Sequence, residues 1–285
     1  MQRKLIQLSP STAVVSLPAS WIRHNKLSKG RSIFLEEQEN RIIISVLSRK
    51  TEKEITVDVK EFQNRLMWNY FDALYICGYD NITLLTRDNT QSALIGRIIK
   101  FFPGLIIEEE RNNIVRIVDV ADNPSENLDK MLARMFHITI TILEDSMEAI
   151  KNKNYPVLAS MKERDYHINS YASYCFRQLN KYGYKNYSKT AIMHTYVKIL
   201  EMITDRICIY LAHMAKAAKS TDKADLTKVL LIYKDIYSLH YNYTNRKLIE
   251  IEEKHHELMQ SKDKEFIASI SLFFDILEME IQLHE

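Results

Sequence analysis

Residues 189–217 read KTAIMHTYVKILEMITDRICIYLAHMAKA, and Met193, Val197, Leu200, Thr204, Ile207, Leu211 and Met214 recur there at three- and four-residue steps. That period sets them on one stripe of an α-helix. Working outward, the same period and a single glycine govern the chain after Asn123-Pro124-Ser125. Helices are expected at 125–151, 156–181, 189–217, 224–259 and 263–284, with breaks at Asn154-Tyr155-Pro156, Gly183 and Ser220-Thr221-Asp222. Residues 121–285 therefore read as an all-α bundle.

Upstream the period changes. In 51–120, Ile55, Val57 and Val59 alternate, 62–74 read as a helix, and 75–86 read as a strand around a Gly78 turn. A helix at 91–102 is stopped by Pro103-Gly104. Segments 105–109 and 114–120 read as a hairpin turning at Asn112-Asn113. This is the pattern of a small α/β domain. Residues 1–50 read as strands at 4–8, 13–17, 32–35 and 41–46, with a short helix at 18–26. So small a segment with so many strand edges cannot bury enough surface alone, and pairing of two copies is expected. The expected fold class is multidomain: a β-rich dimerisation head, an α/β middle domain and a helical bundle.

The 285 residues are 46% hydrophobic and 27% charged, ordinary values for a globular chain. Five glycines stand far apart, at 30, 78, 96, 104 and 183, which excludes P-loop and dinucleotide-binding turns. The net charge of +2 conceals an asymmetry: residues 1–50 carry nine Lys or Arg against three Glu, whereas the remainder is slightly acidic. Cys77, Cys175 and Cys208 are odd in number and form no C-x-x-C, so neither a disulfide framework nor a zinc site is indicated. With no signal-like start and no long apolar run, a cytoplasmic protein without membrane insertion is expected.

Two sets of residues bear on function. In the helix at 156–181, Met161, Asp165, Ile168, Ala172, Cys175 and Leu179 form the apolar stripe, so Asp165 occupies a core position and needs a cation, a metal, a donor or a water-filled groove. Glu201 and Asp205 stand at i and i+4 beside the stripe of the next helix, where like charges repel. One reading makes His194, Lys198, Glu201 and Asp205 a solvated face neutralised by Lys198. The other makes Asp165, Asn169, Glu201 and Asp205 hard oxygen ligands for Mg²⁺, Ca²⁺, Mn²⁺ or iron. In the head, Arg3, Lys4, Arg23, Lys26, Lys29 and Arg31 are either solubilising charges or contacts to the phosphates of duplex DNA. Glu252-x-x-His255 and Glu253-x-x-His256 lie in one charged run with no matching pair on a second helix, and this reads as a solvated face rather than a di-iron centre.

The order Arg3-Lys4-Leu5-Ile6-Gln7-Leu8, Val15-Ser16-Leu17-Pro18, Trp21 and Lys26-Leu27-Ser28-Lys29-Gly30 resembles the swapped-hairpin DNA-binding domain of AbrB and SpoVT regulators. Asn25 and Arg31 replace the usual glycine and aspartate. The helical part resembles PhoU, the phosphate-uptake regulator: Leu200-Glu201-Met202-Ile203-Thr204-Asp205 stands where that family carries Glu-Arg-Ile-Gly-Asp, and Asp165 to Asn169 where it carries Asp-x-x-x-Asp. The resemblance covers nearly the whole chain, with an incomplete second helical repeat. It implies an archaeal type of PhoU protein: a DNA-binding homodimer in phosphate homeostasis, not an enzyme. Arg3, Lys4, Arg23, Lys26 and Arg31 would lie on DNA, and the bundle would hold a divalent cation or iron. A phosphate transporter ATPase or a sensor histidine kinase would be the docking partner. The alternatives are an adaptor whose head only dimerises and, remotely, a metal-dependent bundle enzyme.

Overall fold

The computed structural model describes residues 1–38, 41–46, 52–121, 127–217, 223–261 and 263–285. The chain divides into two units, Met1–Thr51 and Glu52–Glu285. It is a mixed, mainly helical protein with three small sheets among the described residues. The breaks expected at 123–125 and 220–222 lie outside the described residues.

Among its described residues the first unit contains two antiparallel ribbons, each a separate two-stranded sheet. β1 (Ile6–Ser9) runs beside β2 (Thr12–Val14), and β3 (Phe34–Gln38) beside β4 (Arg41–Ser45). Between them lies α1 (Ala19–His24), one residue after Pro18, whose fixed φ suits a helix start. Ser28 and Arg31 close a turn through Arg31 N–H to Ser28 O, and Gly30 adopts φ +85°, which an L side chain resists. No residue of 1–46 whose side chain is described is buried, and Leu5, Leu8, Leu35 and Ile42 are each more than 60% exposed.

The second unit opens with a four-stranded sheet of order β5 (Glu54–Asp58), β6 (Asn81–Leu85), β8 (Ile114–Asp119), β7 (Leu105–Arg111), in which only β5 and β6 are parallel. Their crossover is α2 (Asn64–Ile76), and α3 (Asn89–Ile98) follows β6, its N-terminus capped by the Asp88 carboxylate, which accepts from Gln91 N–H. β7 and β8 turn at Asn112 and Asn113, both at positive φ as a two-residue hairpin of matching twist requires. The segment 75–86 departs from the expectation of one strand. Tyr75 and Ile76 complete α2, because Tyr75 continues the buried stripe of Met67, Phe71 and Leu74. Gly78 at φ +82° then ends the helix, with Gly78 N–H bonded to Tyr75 O and Tyr79 N–H to Leu74 O. Only 81–85 form strand.

The helices α4 (Asn127–Lys151), α5 (Tyr155–Tyr182), α6 (Thr190–Ala217), α7 (Lys223–Tyr241), α8 (Asn245–Leu258), α9 (Lys264–Ile270) and α10 (Leu272–His284) follow. The continuous helix expected at 224–259 is broken at 242–244, where Thr244 caps α8 by accepting from Lys247 N–H. The one expected at 263–284 is divided at Ser271, whose hydroxyl accepts from Arg206 Nη1 at 2.7 Å. Sheet and bundle belong to one unit. Tyr174 of α5 packs into the core of the α/β layer, and Arg177 of α5 is bonded to its strand ends. Among the described residues no helix is long and apolar enough to cross a membrane.

Candidate functional site

Along α5 the expected stripe of Met161, Asp165, Ile168, Ala172, Cys175 and Leu179 is buried throughout, and so is the α6 stripe including Thr204. These two helices pack along their length, which places Asp165 against α6. Asp165 is 5% exposed. Its Oδ2 accepts a long bond of 3.4 Å from Asn169 Nδ2, while Asp165 Oδ1 and Asn169 Oδ1 are both buried without a hydrogen-bond partner. Burial pushes the Asp165 carboxyl up to about 6, and the charges of Asp205 and Glu201 push in the same direction. The four residues singled out from sequence are thus neighbours electrostatically.

Glu201 accepts from Lys198 Nζ, as the solvated-face reading expects. His194 is part-exposed, as Glu201 and Asp205 are. It stacks on Phe176 at 4.3 Å, and burial pushes its imidazole below the usual value. Among the described residues no group of three or more His, Cys, Asp or Glu is gathered to hold a metal ion. In donor type the cluster does fit a hard cation, since two of its buried oxygens lack partners.

The five head residues occupy different local settings. Arg3 and Lys4 precede β1, Arg23 lies in the last turn of α1, Lys26 follows it at φ 50°, and Arg31 follows the Gly30 turn. All five side chains are exposed, and none forms an ion pair among the described residues.

Sequence reasoning missed two buried polar clusters. Arg177, 1% exposed, donates to Tyr75 O, Tyr79 O, Asp80 Oδ1 and Asp119 Oδ2 at 2.6–2.9 Å, with its guanidinium 4.9 Å from the Tyr75 ring centroid. Glu280, fully buried in α10, accepts from Tyr196 Oη and lies 3.0 Å from His240 Nδ1 and 3.4 Å from His284 Nε2. The signal for Arg177 was its place inside the apolar segment Tyr174-Cys175-Phe176 to Leu179. Glu280 gave the corresponding sign within α10. The solvated reading of 250–257 also needs correction: His255 is 6% exposed and stacks on Phe274, because it falls on the Ile251 and Leu258 side of α8.

Compared with known protein families, characterised proteins and solved structures, the chain matches none.

Proposed function

We propose that the chain is a non-enzymatic, homodimeric regulator that binds duplex DNA through residues 1–50 and uses its helical part for cation sensing or partner docking. The observation that carries this reading is the state of the head. Two ribbons with no buried side chain among the described residues expose both Leu5, Leu8, Leu35 and Ile42 and five cations that form no ion pair among the described residues. Isolated two-stranded ribbons are marginal in water, so a second copy is the covering surface the exposed apolar side chains require. Two-fold pairing doubles Arg3, Lys4, Arg23, Lys26 and Arg31 into a basic surface for phosphates, which supplies affinity without choosing a sequence.

The resemblance to AbrB and PhoU proteins supports phosphate homeostasis as the pathway, with a phosphate transporter ATPase or sensor histidine kinase as partner. In the bundle, Asp165, Asn169, Glu201 and Asp205 would hold a divalent cation, and the two unpartnered oxygens support that part of the reading. A bound cation supplies the positive charge that these acids lack. DNA binding by the intact chain, titrated from roughly 50 to 200 mM salt, is the test. Dimers that bind no duplex at the low-salt end would replace this reading with the adaptor, whose head serves only to pair.

A further inference from the structure

Beside the acidic cluster, within the second unit, α2, α5 and α6 enclose a cleft of about 640 Å³. This is the size range of small-molecule sites. Its α2 wall is the stripe Arg65, Trp68, Asn69, Asp72 and Ile76, and facing it are Tyr166, Asn169, Ser173 and Phe176 of α5 with Lys198 and Glu201 of α6. Phe101 and Phe102, at the end of α3's following turn, complete an aromatic wall. The Trp68 and Phe101 ring centroids lie 5.1 Å apart at 60°, and Phe101 and Tyr166 lie 6.0 Å apart at 61°. Ser170 Oγ donates to Phe101 O at 2.6 Å, which fixes that turn to α5.

Two carboxylates, Asp72 and Glu201, line the cleft beside two cations, Lys198 and Arg65. Asp72 is half-buried, receives one hydrogen bond, from Ser173 Oγ at 2.7 Å, and has no ion pair among the described residues. Asn169 Oδ1 lines the same cleft without a partner. Of the two cations present, Lys198 is committed to Glu201, and Arg65 is exposed. An anion entering here would face Asp72. A metal ion has no apolar body and would leave the aromatic wall uncovered. A primary ammonium on an apolar body satisfies both halves, since it brings three donors to Asp72 and Asn169 and a positive charge to aromatic faces.

We infer that this cleft binds an organic cation, a primary amine with a flat apolar body, its ammonium on Asp72 and its body against Trp68 and Phe101. The inference stands apart from the DNA-binding reading, since every residue it uses lies in 52–285.

Calorimetric titration of the intact chain at pH 8 with phenethylamine, 2-phenylethanol and phenylacetate varies charge on one ring. Phenethylamine should bind at least about tenfold more tightly than 2-phenylethanol, with phenylacetate weakest, and Trp68→Ala should weaken all three. Asp72→Asn should bring phenethylamine to the affinity of 2-phenylethanol. If that variant fails to fold, Lys198→Met is the second: removing the lysine whose charge acts on Asp72 should tighten phenethylamine severalfold. Location is read in a Trp21→Phe background, where Trp68 is the sole tryptophan and its emission, excited where tyrosine does not absorb, should be perturbed by the amine. The inference is overturned if no probe binds at millimolar concentration, if the alcohol or acid matches the amine, if Asp72→Asn keeps the preference, or if Lys198→Met leaves affinity unchanged.

Discussion

Arg177 Nη2 lies 2.8 Å from Asp80 Oδ1, joining the last turns of the bundle helix α5 to the residue just before the central strand β6. Asp119, at the end of the paired strand β8, takes the same nitrogen at 2.6 Å, and Lys181, one turn on, also reaches Asp80. The pair ties the α/β layer to the helices at a point closed to water. For Asp80, burial alone would raise the carboxyl, but the bonds from Lys181 and from Lys53 N–H, with the charges of Lys181 and Arg177, hold it below its usual 3.8.

Arg177→Met should therefore destabilise the chain by about 3–5 kcal/mol, because it leaves buried carboxylates facing Lys181 alone. The Arg177→Met, Asp80→Asn, Asp119→Asn triple variant should recover much of that loss. Urea unfolding measures both, and a single-variant cost below about 1 kcal/mol would mean that Arg177 is not the tie described. The sign with pH follows from the lowered carboxyl. Asp80's contribution is present above its unfolded value of 3.8 and is lost as pH falls through its lower folded value, so wild type loses this part of its stability only in strong acid.

Much of this architecture was legible wherever local chemistry and tertiary packing agree. Asn112-Asn113 announced a turn with two positive φ angles, and the α5 and α6 stripes predicted burial residue by residue, Asp165 included. Legibility failed where one signal served two structures. Leu74-Tyr75-Ile76-Cys77 is rich in strand-forming types, yet its burial follows the helix begun upstream. The break before Thr244 carries no glycine or proline within it, so the helical period ran through it unnoticed. The partners of Arg177 and Glu280 were illegible for a different reason: they lie 97 and 84 residues away in sequence. The site was legible to the extent that one acid broke a stripe. That Asn169 and Glu201 also line an aromatic cleft depends on α2, which no pattern in the bundle could reveal.

Asp165→Asn should stabilise the protein at pH 7.5 by about 1–2 kcal/mol, after discounting for partial solvent screening. With a folded value of about 6 against 3.8 unfolded, Asp165 takes up a proton on folding within that window, so wild-type stability falls as pH rises from 3.8 to 6 and levels above it. The variant's advantage should vanish by about pH 4. Thermal melts across pH decide it, and an advantage independent of pH would mean that the carboxylate is not strained. Saturating Mg²⁺ or Mn²⁺ should raise the wild-type Tm and close the gap if the cluster holds a cation. No shift with any divalent ion removes the metal reading and leaves the pH effect standing.

Light scattering should give the intact chain a mass twice 33.6 kDa at micromolar concentration. Removing residues 1–51 should return residues 52–285, a unit with its own cores, to a monomer. Leu5→Lys with Leu35→Lys should do the same in the full chain by placing charge on exposed apolar positions of both ribbons. A monomeric wild type, or a dimer that survives loss of the head, contradicts the role given to 1–50.

The DNA prediction is quantitative because counterion release counts phosphate contacts. Each contact contributes about 0.9 to the slope of log K against log salt. Arg3 and Lys4 are exposed and would be doubled in a dimer, so Arg3→Ala with Lys4→Ala removes up to four contacts and should flatten the slope by as much as about 3 to 4. The loss should be nearly the same on any duplex sequence, since phosphate contacts position the protein without reading bases. Arg31 makes a sharper point, as it follows a glycine turn whose backbone is fixed by Arg31 N–H to Ser28 O. Arg31→Ala keeps that bond and removes only charge, so it should lower affinity and slope without altering the dimer's mass. Fluorescence anisotropy with a labelled duplex, run beside light scattering, separates the two effects. Unchanged slopes in both variants, with the dimer intact, would assign the head to pairing alone and leave partner contacts as its means of action.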